Sequence, residues 1–326
     1  MPTIPFDRGG FPLLQNGLID SELEGLVRGL ETPVYIYDER RLKALIDVAL
    51  NTKHQAKCDL LYAVKASAFS DVLIYLNPHI DGFSASSLFE ARFIRSLFQD
   101  SQIHFTAPGL RASEISEIGS ICDFVSFNSR TQFERFGPAL KRTTSLGIRV
   151  NTRISSVADP MYDPCRTGSK LGVPVEELAS VLNGMTANIE GIHIHTNADS
   201  TDFDQLLTNV HALIHAIPNS LDLSWVNLGG GYLFEETDSI GPLLESTALL
   251  RDRFSAKIFL EPGSGLVRGA GYLATSVVDL FIVDGAQIAV LDTTVNHMPE
   301  VLEFRYQPDR YSKISFPTCS KSLMRR

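Results

Sequence analysis

The chain has 326 residues, 44% hydrophobic and 21% charged, with a formal net charge of −9. That length suits one large barrel or about two ordinary domains and excludes a small peptide-like module, and the composition is that of a soluble globular protein with any disorder kept to the ends. The acidic balance argues against nucleic acid as a partner, because a duplex-binding surface needs a basic excess.

The N-terminus, Met1-Pro2-Thr3-Ile4-Pro5, has no basic region followed by an apolar run, and no segment reaches bilayer-spanning length, so no membrane partner is expected. Cys58, Cys122, Cys165 and Cys319 are scattered without a Cys-x-x-Cys pair. This fits reduced thiols in a cytoplasmic protein and gives no zinc-site spacing.

Residues 1–37 are assigned to a small second domain, because Thr32-Pro33-Val34-Tyr35-Ile36-Tyr37 alternates like a strand. Over 38–266 short apolar runs recur: Leu60–Lys65, Gly82–Ser86, Ile103–Pro108, Phe124–Asn128, Ile148–Thr152, Ile192–Thr196, Trp225–Gly229 and Ile258–Glu261. Helix-like stretches such as Leu88–Ile94 and Phe203–Ala216 lie between them. About eight strands alternating with helices predict an α/β fold, a TIM-like (β/α)8 barrel. The runs end in or beside Lys65, Ser86, Thr106, Asn128, Arg153, His195, Gly229 and Glu261, all able to touch a ligand at the rim where barrel enzymes build their sites.

Residues 267–326 complete the second, antiparallel β domain made from both chain ends, with Ser276–Val283 and Gln287–Asp292 paired across an Asp284-Gly285 turn. After Thr293 only a short tail remains, and this domain is expected to be incomplete.

Lysine at the end of an apolar strand, as in Tyr62-Ala63-Val64-Lys65-Ala66, needs a chemical reason. Strand alternation aims Leu61, Ala63 and Lys65 inward, where the amine can form a Schiff base with pyridoxal phosphate, a low dielectric lowering its pKa. Alone, such a lysine is more readily a side chain reaching into water, and only its partner segments reverse that order. Gly229-Gly230-Gly231 follows a strand and lets backbone N–H groups close on a phosphate, or is a plain flexible turn. It lacks the Gly-Lys-Ser/Thr continuation of a nucleotide-binding loop. Glu261 can hold a pyridine nitrogen protonated, which makes the ring an electron sink, or cap the segment that follows.

His193 and His195 are two apart and face inward, His195 nearer the mouth, where it can stack on a cofactor ring. A hydrogen-bonded core role suits His193 better. No metal site is expected, because the pair lacks an evident third ligand. Gly263-Ser264-Gly265 with Gly269 and Asp284 faintly imitates a dinucleotide fingerprint, but its spacing is wrong.

These segments, with Ser-Ala-Ser-Ser-Leu-Phe-Glu at 84–90, Tyr-Asp-Pro-Cys at 162–165, Ser-Lys-Leu-Gly at 169–172, Glu-Pro-Gly at 261–263 and His-Met-Pro-Glu-Val-Leu-Glu at 297–303, make the chain resemble the alanine-racemase-like (fold-type III) pyridoxal phosphate decarboxylases. Ornithine and diaminopimelate decarboxylases belong to that group, and the carboxynorspermidine decarboxylase subgroup is most similar. The resemblance implies a homodimeric lyase of polyamine (spermidine) biosynthesis that decarboxylates a small carboxylated polyamine or diamino acid. Its cofactor would be pyridoxal 5'-phosphate, with Lys65 as the Schiff-base lysine, His195 against the ring, Gly229, Gly230, Gly231 and Gly263 around the cofactor, and Glu261 at the ring nitrogen. Glu90 and Lys170 would be supporting charges, and Cys319 a catalytic thiol entering the neighbouring subunit. After Cys319 the family's aspartate and later tyrosine are missing, and Ser264 replaces a frequent arginine. A racemase of the same fold, or an inactive relative that binds cofactor or a partner subunit, are the alternatives.

Overall fold

The computed structural model describes residues 29–140, 144–157, 159–183, 189–298, 310–312 and 321–325, the last two stretches as backbone. The chain divides into two compact units, one of residues 44–267 and one of residues 1–43 with 268–326.

The first unit is built on parallel strands β2 (Asp59–Ala63), β3 (Gly82–Ala85), β4 (Gln102–Thr106), β5 (Phe124–Phe127), β6 (Ser145–Asn151), β8 (Gly191–Ile194), β9 (Trp225–Asn227) and β10 (Lys257–Leu260). They pair in the order β5-β4-β3-β2-β10-β9-β8-β6, and a β5–β6 pairing closes the ring. The short β7 (Val173–Pro174) pairs with β6 outside that ring. Helices α2 (Ser70–Leu76), α3 (Leu88–Leu97), α4 (Ile115–Ile121), α5 (Arg130–Phe136), α6 (Leu178–Asn183), α7 (Asp204–Ala216) and α8 (Gly241–Phe254) follow successive strands, and α1 (Glu39–Ala56) precedes β2. The expected (β/α)8 barrel is therefore present.

Register fixes which residues fill the barrel. The pairings Leu61↔Gly82, Ser84↔His104, His104↔Phe124, Gly147↔Gly191, Gly191↔Trp225 and His193↔Asn227 place one row of each strand on the same face. At one level Leu61, Trp225 and Phe259 form a buried cluster with Phe124 against it, and the His104 ring stacks on Phe124 at 4.0 Å between centroids. Gly147 and Gly191 are part of this packing, since a Cβ at either would overlap the Trp225 ring.

In the second unit β11 (Gly271–Val283) pairs antiparallel with β1 (Val34–Tyr37) and with β12 (Ala286–Leu291). The β11–β12 turn is Asp284-Gly285, both at positive φ (50° and 78°), the left-handed pair that a two-residue hairpin demands. A register shift between Val277 and Asp279 marks a bulge. Within the short tail after Thr293, β13 (Arg310–Ser312) and β14 (Lys321–Arg325) are strands, and β14 pairs with Tyr272–Ser276 of β11.

Candidate functional site at the strand C-terminal rim

Strand β10 ends at Leu260, and the next inward residue is Glu261, which is 5% exposed. A buried carboxylate needs donors. Asn227, inward on β9, donates Nδ2–H to Glu261 Oε1 at 2.8 Å. The second oxygen, Oε2, lies 3.4 Å from Nε2 of His193 and 3.9 Å from Nδ1 of His195. Burial alone would push the Glu261 carboxyl up, but His193 first and His195 second hold it well below the usual carboxylate range. Glu261 is thus a buried anion.

His195 Nδ1 accepts the N–H of Gly230 at 3.3 Å, so its 3.9 Å approach to Glu261 Oε2 is proximity and not a hydrogen bond. Burial pushes the His195 imidazole down to about 4; the Glu261 interaction opposes this, and Lys65 and Arg149 add to the fall. The ring is neutral at physiological pH, and its side chain keeps 16% exposure.

Lys65 departs from the sequence expectation. Its strand ends at Ala63, and Val64–Ala66 form one 3₁₀ turn in which Lys65 is exposed. Alternation therefore does not extend to it. The turn is held by Ala63 N–H donating to Pro262 O at 2.9 Å and by Tyr62 Oη donating to Ser67 O at 3.1 Å. Gly263 lets this turn approach β10, because a Cβ there would sit 3.0 Å from Ala66 Cβ and 3.4 Å from Ala63 Cβ.

The three glycines do more for the fold than expected. A Cβ on Gly229, Gly230 or Gly231 would overlap the backbone of Ile194, Glu261 or Asn197 respectively, so close approach of neighbouring strand ends already requires them. Gly229 N–H donates to Asn227 Oδ1 at 2.9 Å and Gly230 N–H to His195 Nδ1, which engages two of the three N–H groups expected to face a phosphate. Ser264, in place of an arginine, donates to Asp199 Oδ1 at 3.1 Å.

Among the other rim residues, Glu90 accepts from Ser86 N–H at 2.6 Å while Ser87 caps α3 through Glu90 N–H, a helix-start arrangement. Asn128 clamps the loop after β6 through Lys170 O at 2.8 Å and Gly172 N–H at 2.9 Å. Arg153 turns outward with φ at 63°, and Cys319 lies outside the described residues. The expectation that the two histidines would lack a third partner is corrected: Glu261 brings its carboxylate to within 4.8 Å of both.

Two site residues were not singled out from sequence. Arg149, inward on β6 and opposite His193 in register, is 9% exposed, and burial pulls its guanidinium pKa down against the pull of Glu261. Asn227 is the other. Each occupies an inward position of an expected strand, a signal available from alternation alone. At the opposite rim a cavity of about 370 Å³ is lined by Asp81, Gly82, Asp100 and Ser101, but Asp81 is already paired with Lys53 at 2.7 Å.

The family of pyridoxal-dependent decarboxylases, in its pyridoxal-binding domain, matches residues 43–268. The chain belongs to this family. It is a carboxy-lyase whose cofactor is pyridoxal 5'-phosphate. It is 30% identical over 281 residues to carboxynorspermidine/carboxyspermidine decarboxylase of Campylobacter jejuni, covering 85% of this chain and 72% of that protein. Against carboxyaminopropylagmatine decarboxylase of Synechocystis identity is 29%, covering 86% and 72%. The crystal structure of the Campylobacter jejuni carboxynorspermidine decarboxylase complexed with norspermidine superposes with a TM-score of 0.75 at 27% identity, over 87% of this chain and 74% of that one.

The family's cofactor can be tested against the residues present. At the ring end the fit is good, with a buried carboxylate, a neutral imidazole at the mouth and an exposed lysine close enough to perturb that imidazole. Where the resemblance places the phosphate, the Gly229 and Gly230 N–H groups already have acceptors and Ser264 offers a hydroxyl engaged with Asp199. Among the described residues no helix is long and apolar enough to cross a membrane.

Proposed function

We propose that this decarboxylase acts on a carboxylated polyamine of the carboxynorspermidine or carboxyspermidine type. The observation that carries the reading is the convergence of Glu261, His195 and Lys65 at one barrel rim in a chain whose 30%-identical relative acts on such substrates. Pyridoxal phosphate, when bound, accepts the electron pair left on the substrate's α-carbon as carbon dioxide departs.

The chain's own residues set that chemistry up. Lys65 projects its amine from the 3₁₀ turn and would hold the cofactor's aldehyde carbon, then return a proton to the substrate carbon that has lost carbon dioxide. Glu261, kept anionic, would bind the protonated ring nitrogen. His195, its neutral ring held in place by Gly230 N–H, would lie against the cofactor ring. Gly231, Gly263 and Ser264 stand at the phosphate end. Cys319 of a partner subunit is the proposed second proton donor, and the family's homodimer is the proposed assembly. Cytoplasmic residence is supported by Cys58, Cys122 and Cys165, all free and buried.

Purified protein loaded with cofactor should release carbon dioxide from carboxynorspermidine or carboxyspermidine with a kcat/KM at least about tenfold above that for meso-diaminopimelate, lysine or ornithine. Preference for one of those amino acids would overturn the substrate reading, and inversion of a substrate without carbon dioxide release would favour the racemase.

A further inference from the structure

The Glu261 carboxylate has two oxygens and two different kinds of support. Oε1 is fixed by Asn227, whose own orientation is set because its Oδ1 accepts Gly229 N–H. Oε2 has two imidazoles near it, but His195 offers only the nitrogen that already accepts Gly230 N–H. That leaves His193. Its side chain is 2% exposed, its Nδ1 lies 3.2 Å from Thr106 Oγ1 on β4, and its Nε2, 3.4 Å from Glu261 Oε2, is a buried nitrogen with no hydrogen-bond partner among the described residues.

We propose that His193 is a positioning residue for the site: with Thr106 Oγ1–H donating to Nδ1, its Nε2–H is directed at Glu261 Oε2 and holds the plane of the carboxylate. This rests on the reading of Glu261 as the cofactor's ring-nitrogen partner. Thr106, His193, Glu261, Asn227 and Gly229 then form one polar chain through the barrel. Each link fixes the donor sense of the next. Two donors pin a carboxylate, whereas one leaves it a pivot. Without His193 the group would swing about its bond to Asn227 and lose the alignment that ring binding needs.

The test uses the full chain with three substitutions, His193→Leu, His193→Gln and Thr106→Val. In cofactor-free protein, ¹⁵N imidazole spectra should show His193 as the Nε2–H tautomer, and Thr106→Val should mix the tautomers. Fluorescence titration should find cofactor bound about tenfold more weakly by His193→Leu, and kcat should fall about 10- to 100-fold with substrate KM within about twofold. His193→Gln keeps an N–H near the Nε2 position and should restore most of both. The proposal is overturned by an Nδ1–H tautomer, by a folded His193→Leu protein with unchanged cofactor affinity and kcat, or by equal impairment in His193→Gln and His193→Leu. If His193→Leu does not fold, unchanged tautomer and cofactor affinity in Thr106→Val overturn it instead. Full turnover in Glu261→Gln would sink the reading of Glu261 itself, while the tautomer in cofactor-free protein would still decide the His193 contact.

Discussion

A single side chain in this barrel is worth what its neighbours leave it. Lys65 is exposed in a turn, so Lys65→Ala should leave thermal stability within about 0.5 kcal/mol while removing the visible absorbance of bound cofactor, borohydride-dependent labelling and turnover. Label on a different lysine would disprove the assignment. His104 is the opposite case. It is 3% exposed among Phe124, Trp225 and Phe259, and burial pushes its pKa down to about 3 against the pull of Glu261. Its unfolded value is about 6.5, so unfolding takes up a proton between these limits. The stability it permits is complete above about pH 6.5 and is lost as pH falls toward 3, on the order of 5 kcal/mol in all. His104→Leu should flatten that limb of the unfolding free energy measured by urea at a series of pH values; an unchanged slope would show that the imidazole does not carry it.

At the scale of elements, strand ends decide the site. The expected strand runs overshoot at several C-termini, since β2, β8 and β9 stop before Lys65, His195 and Gly229. Hydrophobic alternation continues past the point where hydrogen bonding stops, which is why Lys65 was expected at a strand end and is found exposed in a 3₁₀ turn. The inward rows themselves were legible, and they contain His193, Asn227 and Glu261 without any knowledge of pairing. Packing between rows was not legible. Gly191 and Gly147 make room for Trp225, and Trp225 Nε1–H donates to Ser145 Oγ at 2.8 Å. Gly191→Ala should cost about 3 kcal/mol through overlap with the indole, and Trp225→Leu in the same chain should recover part of that cost. Urea midpoints of the two single variants and the double variant measure the coupling, and strict additivity would refute the packing account.

For the whole molecule, the barrel supplies the chemistry and the second unit carries apolar surface. On the β11–β12 hairpin Phe281 and Ile288 are register partners, 42% and 39% exposed, and Val283 and Val290 share their face at 46% and 40%. If the proposed homodimer uses this surface, sedimentation should give twice the 36.0 kDa chain mass, and Phe281→Lys with Ile288→Lys should shift the protein toward monomer with the barrel's cofactor binding retained. Dimers of undiminished stability in the double variant would place the contact elsewhere.

The sequence by itself determined the architecture and the type of chemistry. Strand spacing, alternation and polar endings are local properties that the chain carries without being folded, and the ordered motifs from Tyr62 to Gly263 marked the family. Tertiary structure decided who supports whom. Glu261, Asn227 and His193 lie on β10, β9 and β8 or directly after them, and Thr106 comes from β4. Their polar chain depends on ring closure and inter-strand register, which no local pattern encodes. The same register assigned the Gly230 N–H to His195, while the Gly229 N–H meets Asn227 two residues earlier in its own segment, because a buried donor is satisfied by whichever acceptor lies within reach.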